Sequence, residues 1–400
     1  MDSNRSLSHA NHLRSRTAIA LRGILSGAAL CTCALAQSPA GAAPPGQANR
    51  VSISVIPERP RIERSKNMLH VNCDFQVQNI GVAKQLDRID LRVLDSKGAL
   101  VQKKYVDRGG TAPGVNTIRW RSIAADSTCH VFNPFHTFDT EVELHTLKFL
   151  FRFRYGNRAQ TQTITVTPDL TEPKTRHRLP IEGRLLVTDG HDFLSHHRRL
   201  GMDHPIIVAI GATKNGSRYA LDLAIVDKQG QEFANSGSKH EDWYGWNAPV
   251  FATADGVVVA METNYPDNTL TARGGVVYSS RITPKNPASL LGNYMIIDHQ
   301  NGEFSALGHL KMGSVKVEKG QRVKAGEHIA NVGLSGATTH MHLHFQVQDG
   351  ADPWHSEGIP TYFDGYRRHL GSRSVVVTRG SIDSGDIAEH ITGDKRGSRR

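Results

Sequence analysis

The chain has 400 residues, which points to two or three domains rather than one. Its formal net charge of +10 asks for polyanionic surroundings, but no nucleic-acid recognition motif accompanies that charge, so nucleic acid is set aside as a partner. Beyond residue 36 no apolar run approaches the ~18 to 20 residues that a membrane-spanning helix requires, which excludes a transmembrane segment of that kind.

Residues 1–36 read as an export signal. Arg14, Arg16 and Arg22 precede a small-residue apolar stretch, 23–36, that ends in Ala34-Leu35-Ala36: a charged start, a short hydrophobic core and an A-x-A exit. Pro39, Pro44 and Pro45 follow at once and would leave a buried helix unsupported. Cleavage is expected after Ala36, with Ala40-Gly41-Ala42 as a second candidate, and neither Cys31 nor Cys33 sits in a convincing lipoprotein box. The mature chain is therefore expected to be exported, periplasmic or extracellular, with 37–49 as a short linker.

Residues 50–168 read as a β domain. Period-two alternation runs through 51–55, 69–77, 89–93, 117–120 and 148–153, with turn signals at Ser96-Lys97-Gly98 and Gly109-Gly110, the pattern of an immunoglobulin-like sandwich. Cys73 and Cys129, the pair left after signal removal, are expected to form a disulfide, given an oxidising compartment. Residues 169–182, polar and carrying two prolines, read as an interdomain linker, and 371–400 as a flexible basic tail ending in Lys395-Arg396-Gly397-Ser398-Arg399-Arg400.

Between them, 183–370 holds short alternating strands punctuated by glycines, the signature of an antiparallel all-β body. The densest chemistry is His340-Met341-His342-Leu343-His344-Phe345-Gln346, which reads as a strand. Residues two apart share a face, so His342, His344 and Gln346 lie on one side, and Met341, Leu343, Phe345 and Val347 form a wholly apolar other side. Two imidazoles on one rigid strand suggest a preorganised metal site, although H-x-H alone is also met on solvated faces. Its companions are Asn247-Ala248-Pro249-Val250 through Ala254-Asp255-Gly256-Val257-Val258, then Gly292-Asn293-Tyr294, then Gly308-His309-Leu310.

In combination and in this order, these pieces resemble the lysostaphin-like (LytM-type) zinc metallopeptidases, which cut peptide bonds in bacterial cell walls. The resemblance covers about 183–366 and implies a largely antiparallel β fold with its site in an open groove. It implies one zinc ion held by Asp222 and His344, with His309 and His342 orienting the water, relaying its proton and stabilising the oxyanion. There is no H-E-x-x-H helix, so a histidine pair would carry the proton work.

The third ligand departs from the common pattern. Where the family places a histidine four residues before the aspartate, this chain has Arg218, a cation without a lone pair to give. By similarity to a branch of the family the ligand falls at His197, in Ser195-His196-His197-Arg198-Arg199, with His196 as the fallback. The long irregular segment 264–286 is the candidate specificity element. The expected function is an exported zinc endopeptidase acting on peptidoglycan or another peptide substrate, and the alternative is an inactive wall-binding or activator module. The N-terminal domain could recognise the wall or a partner protein, cover the groove, or serve as a spacer.

Overall fold

The computed structural model describes residues 49–391 apart from 66, 108–121, 171, 194 and 284. The expected export signal, the expected strand at 117–120 and the basic terminal run lie outside the described residues. Among the described residues nearly all regular structure is antiparallel strand, with two short α-helices, Pro205–Ile210 and Ala288–Leu291, and one 3-10 turn, His240–Asp242.

In the N-terminal domain two sheets face each other. One orders Arg50–Ile56, Asp74–Ile80 and Ser127–Phe132; the other orders Arg158–Val166, Thr146–Tyr155, Lys84–Leu94 and Leu100–Asp107. Thr146–Tyr155 alternates as its sequence demands: Leu147, Phe149, Phe151 and Phe153 are fully buried. Phe75 of the opposite sheet meets Phe149 and Phe151 edge-on, with centroids at 4.8 and 5.0 Å. Each such ring contributes roughly 1.5 to 3 kcal/mol through burial. The arrangement is a β-sandwich with a third small sheet, Ile62–Ser65, Met68–Val71 and Thr137–Asp139, beside it.

The expected disulfide is corrected: Cys73 and Cys129 are both free. Cys129 lies opposite Val77, four residues along from Cys73, so strand rise alone separates the two cysteines by roughly 13 Å.

The second domain is built on one ten-stranded sheet. In spatial order its strands are Arg322–Val323, Gly256–Glu262, Asn293–Asp298, Phe304–Leu310, Leu343–Gln348, Leu221–Val226, Arg184–Asp189, Ile387–His390, Phe363–Leu370 and Arg373–Gly380. Met341, Leu343, Phe345 and Val347 enter its core, as the alternation predicted. The strand itself begins at Leu343. Immediately before it, Thr338 Oγ1 and His342 Nδ1 both bond to the His340 carbonyl, a local knot that competes with the ladder.

Two boundaries are corrected. Residues 371–390 are not a tail: Arg373–Gly380 pairs with Phe363–Leu370, and Ile387–His390 lies between Phe363–Leu370 and Arg184–Asp189. Gly371, at φ +68°, opens a two-residue hairpin turn between Leu370 and Arg373, so the polar stretch that looked like the start of a tail is a reversal of the sheet. The expected linker 169–182 is not free: Asp169 pairs with Arg61 of the N-terminal domain, and 172–182 is a strap fixed to the second domain. Leu179 and Ile181 are fully buried, Arg178 N–H donates to the Thr253 carbonyl, and His177 accepts from Asp364 N–H.

Candidate metal centre

Strand register brings the site together. Asp222 lies directly opposite His344, which on its other side lies opposite Gly308, while Asp189 pairs with Asp222 from the third strand. Residues directly opposed in a sheet project to one face, so Asp189, Asp222 and His344 form a row. His309 extends it through a bulge: Asn293 pairs with Leu310 and Met295 with Leu307, leaving Gly308 and His309 against Tyr294 alone. The extra residue adopts φ +59°, a left-handed conformation uncommon for a side-chain-bearing residue, and this re-aims the imidazole. The loop following Arg184–Asp189 supplies His196 and His197.

The row converges on one carboxylate oxygen. Asp222 Oδ1 is 3.0 Å from His344 Nδ1, 3.3 Å from His342 Nε2 and 3.5 Å from His197 Nε2. The His309 ring stands 4.8 Å from that of His342 and 6.0 Å from that of His344. All five side chains are buried.

Hydrogen bonds on the far side of each ring assign its lone pair, since a backbone carbonyl only accepts. His197 Nδ1 bonds the Gly190 carbonyl at 3.2 Å, His342 Nδ1 the His340 carbonyl at 3.1 Å, and His309 Nδ1 the Ser335 carbonyl at 2.8 Å. In the neutral rings Nε2 is therefore the free acceptor. For His344 the assignment runs through two amides. Gln348 Nε2 donates to the Gly350 carbonyl at 2.7 Å, so its Oε1 must accept from Gln346 Nε2. Gln346 Oε1 then accepts from His344 Nε2 at 2.8 Å, leaving the lone pair on Nδ1, which faces Asp222.

Three imidazole lone pairs thus surround one carboxylate oxygen, acceptor against acceptors, and His342 Nε2 is buried without a hydrogen-bond partner. A shared cation reconciles such a set. Separations of 3.0 to 3.5 Å suit donors sharing one ion, since tetrahedral ligands at ~2.0 to 2.2 Å stand about 3.3 Å apart. The donor set of imidazole nitrogen and carboxylate oxygen fits zinc.

Electrostatics agree with neutral His197 and His309 rings beside an ionised acid. Burial holds the His197 and His309 imidazoles well below their ordinary range, in His309 assisted by the neighbouring His342 and His344. Burial pushes the Asp222 carboxyl up, but the neighbouring His342 and His197 outweigh this and hold it well below the usual carboxylate range.

The five residues expected to bind metal or assist water, His197, Asp222, His309, His342 and His344, lie in this cluster. Asp189, His196, His197 and Asp222 can each bring one donor atom within 4.8 Å of the others, so the fallback His196 borders the same space. Its side chain is exposed and engages Asp189, whereas the free nitrogen of His197 faces Asp222. Arg218 lies apart, its Nε donating to Glu357 Oε1 at 2.5 Å. Reasoning from sequence missed the roles of Gln346 and Gln348. Carrying the period of two onward from His344 reaches both. It also missed His340, whose Nε2 bonds Thr188 Oγ1 at 3.0 Å. The segment 264–286 packs beside the site: Asn268 Nδ2 donates to the Gly336 carbonyl, one residue beyond the Ser335 carbonyl that fixes His309.

The family whose profile matches is Peptidase family M23, over residues 243–355, a stretch that contains His309, His342 and His344 but begins after His197 and Asp222. Peptidoglycan DD-endopeptidase ShyB of Vibrio cholerae serotype O1 is 33% identical over 100 residues, 25% of this chain and 17% of the relative. Peptidoglycan DD-endopeptidase ShyA of the same organism is 31% identical over 170 residues, 42% of this chain and 26% of the relative. The chain thus matches about a quarter or less of either relative. The catalytic domain of lysostaphin from Staphylococcus simulans is 18% identical, covering 35% of this chain and 74% of that one, with a TM-score of 0.21, too slight a likeness to argue from. Residues 243–355 of this chain thus match Peptidase family M23.

Proposed function

We propose that the chain is an exported zinc endopeptidase that hydrolyses peptide bonds in peptidoglycan cross-links or stems. The observation that carries this reading is the convergence of three imidazole lone pairs on Asp222 Oδ1. His197 Nε2, Asp222 Oδ1 and His344 Nδ1 would hold the ion. When bound, zinc lowers the pKa of an attacking water from near 16 to roughly 7. His309 Nε2 is free because Nδ1 is committed to the Ser335 carbonyl, and burial keeps the ring neutral, so it is able to accept the proton of that water. His342 Nε2, likewise free, faces the same space; once either ring is protonated it becomes a donor to the developing oxyanion. The His344–Gln346–Gln348–Gly350 chain fixes the ring that must present Nδ1.

The residue that motivated the alternative of an inactive wall-binding module, Arg218, has partners of its own, buried Asp74 and half-buried Glu357, so its presence does not argue for a lost site. The test is metal content and release of peptides from purified peptidoglycan, for the wild type, His344→Ala and His197→Ala. About one zinc per chain with wall digestion, both lost in the two variants, supports the reading. A wild type that adheres to wall without zinc or cleavage overturns it in favour of the binding module. Loss in His344→Ala alone moves the third ligand to His196 or another residue.

A further inference from the structure

The loop that carries His196 and His197 is held from behind by the other domain. His191 Nε2 lies 2.5 Å from Glu63 Oε1, both side chains buried. The Phe193 ring stacks on His136 at 4.0 Å, nearly parallel. Arg198, next to His197 and 0% exposed, donates from Nη1 to Asp74 Oδ2 at 2.7 Å, from Nε to Asn72 Oδ1 at 3.2 Å and from Nη2 to the Cys73 carbonyl at 3.3 Å. Arg199 lies over the Phe132 ring at 4.4 Å. Glu63, Asn72, Asp74, Phe132 and His136 all belong to the N-terminal domain.

Asp74 closes the arrangement. The same Oδ2 accepts from Arg218 Nη1 at 3.2 Å, while Arg218 Nε is held by Glu357. Two buried guanidiniums therefore share one carboxylate from another domain. One adjoins His197 in sequence, and the other stands four residues before Asp222 at the position where the resemblance leads one to look for a histidine. A buried charge pair is costly to break, because the partner left behind is stranded without water. Arg198 and His197 are consecutive, so a displaced Arg198 displaces the backbone that aims His197.

We propose that the N-terminal domain is a working part of the metal centre. Asp74 is a positioning residue that holds the His197 loop through Arg198 and Arg218, so that domain docking and metal affinity are coupled. The inference rests on the zinc reading above. Coupling is reciprocal: metal on His197 stabilises the docked domain, and docking tightens the metal.

The test titrates the metal-free full chain with Co2+, followed by visible absorption, and with Zn2+ against a chromophoric chelator. Four variants are compared: Asp74→Asn, Asp74→Glu, Phe193→Ala and His344→Ala. Asp74→Asn and Phe193→Ala are expected to weaken metal binding by about 10- to 100-fold, the usual loss for a supporting partner of a ligand, with β circular dichroism retained. Asp74→Glu is expected to recover part of the affinity. A fall in melting temperature with wild-type metal affinity overturns the proposal and leaves Asp74 a purely structural residue. If Asp74→Asn does not fold, Phe193→Ala decides alone, since it strands no buried charge; wild-type affinity there also overturns the proposal. His344→Ala separates the two readings. If it binds metal like the wild type, the zinc reading itself falls, whereas loss of metal in His344→Ala with none in the other variants refutes only the coupling.

Discussion

Replacing Gln346 by Leu tests how His344 is aimed. Gln346 is almost wholly buried, and its Oε1 accepts from His344 Nε2 at 2.8 Å. Leucine fills similar volume but leaves that N–H without a partner, an omission costing ~1 to 3 kcal/mol in a buried site. The metal-free protein has an escape. The proton moves to Nδ1, 3.0 Å from Asp222 Oδ1, and forms a charge-assisted bond of about 1.5 to 3 kcal/mol. That gain offsets the loss at His344, but Gln348 Oε1 and Ser217 Oγ also lose Gln346 as their partner, so the metal-free variant should still be destabilised by about 1 to 3 kcal/mol. Metal must now displace that proton, and affinity should fall about 10- to 100-fold, or about 1.4 to 2.8 kcal/mol. The assay is competition for Zn2+ against a chromophoric chelator, with melts recorded with and without the ion. Wild-type affinity in Gln346→Leu would refute the tautomer argument and with it the assignment of Nδ1 as the metal-facing nitrogen.

Other outcomes follow from the same geometry. Burial, then the charge of Arg198, pushes the His136 imidazole down to about 3, so between roughly pH 3 and 6.5 the unfolded chain binds a proton that the folded one refuses. Stability should therefore rise with pH across that window, and His136→Phe, which keeps the stack on Phe193, should flatten the slope by up to about 1 kcal/mol per pH unit in denaturant titrations; an unchanged slope sinks this reading. Gly292 sits at φ +66°, and a Cβ there would lie 2.5 Å from Gly336 N, so Gly292→Ala should shift the turn whose Ser335 carbonyl fixes His309, cutting peptidase activity and stability together. Wild-type activity in that variant would show that the turn does not govern His309. Phe151→Ala should cost about 3 to 5 kcal/mol in urea melts, and a loss under 1 kcal/mol would contradict the packing described. Because Cys73 and Cys129 are free, reductant should leave the melting temperature unchanged; a drop of several degrees would restore the disulfide.

Much of this molecule is written in local pattern. Period-two alternation foretold the Phe149, Phe151 and Phe153 face and the apolar side of the His344 strand, because pleat geometry sends alternate side chains to opposite faces regardless of what lies beyond. The H-x-H pair, Gly308-His309 and Asp222 were likewise legible, the last two through resemblance. The hairpin at Gly371 and the strap at 172–182 were misread because turn residues and polar residues carry no mark of whether a sheet edge awaits them.

What only the tertiary structure decided is what depends on register and on partners distant in sequence. That Asp222 faces His344 across one ladder rung follows from strand pairing between segments 122 residues apart. That His344 presents Nδ1 follows from a chain of amides ending on the Gly350 carbonyl. Arg218 read from the sequence as a missing ligand, and its partners, Asp74 of the other domain and Glu357, are 144 and 139 positions away. A side chain's type sets which bonds it is able to make, and only the fold determines what is there to receive them.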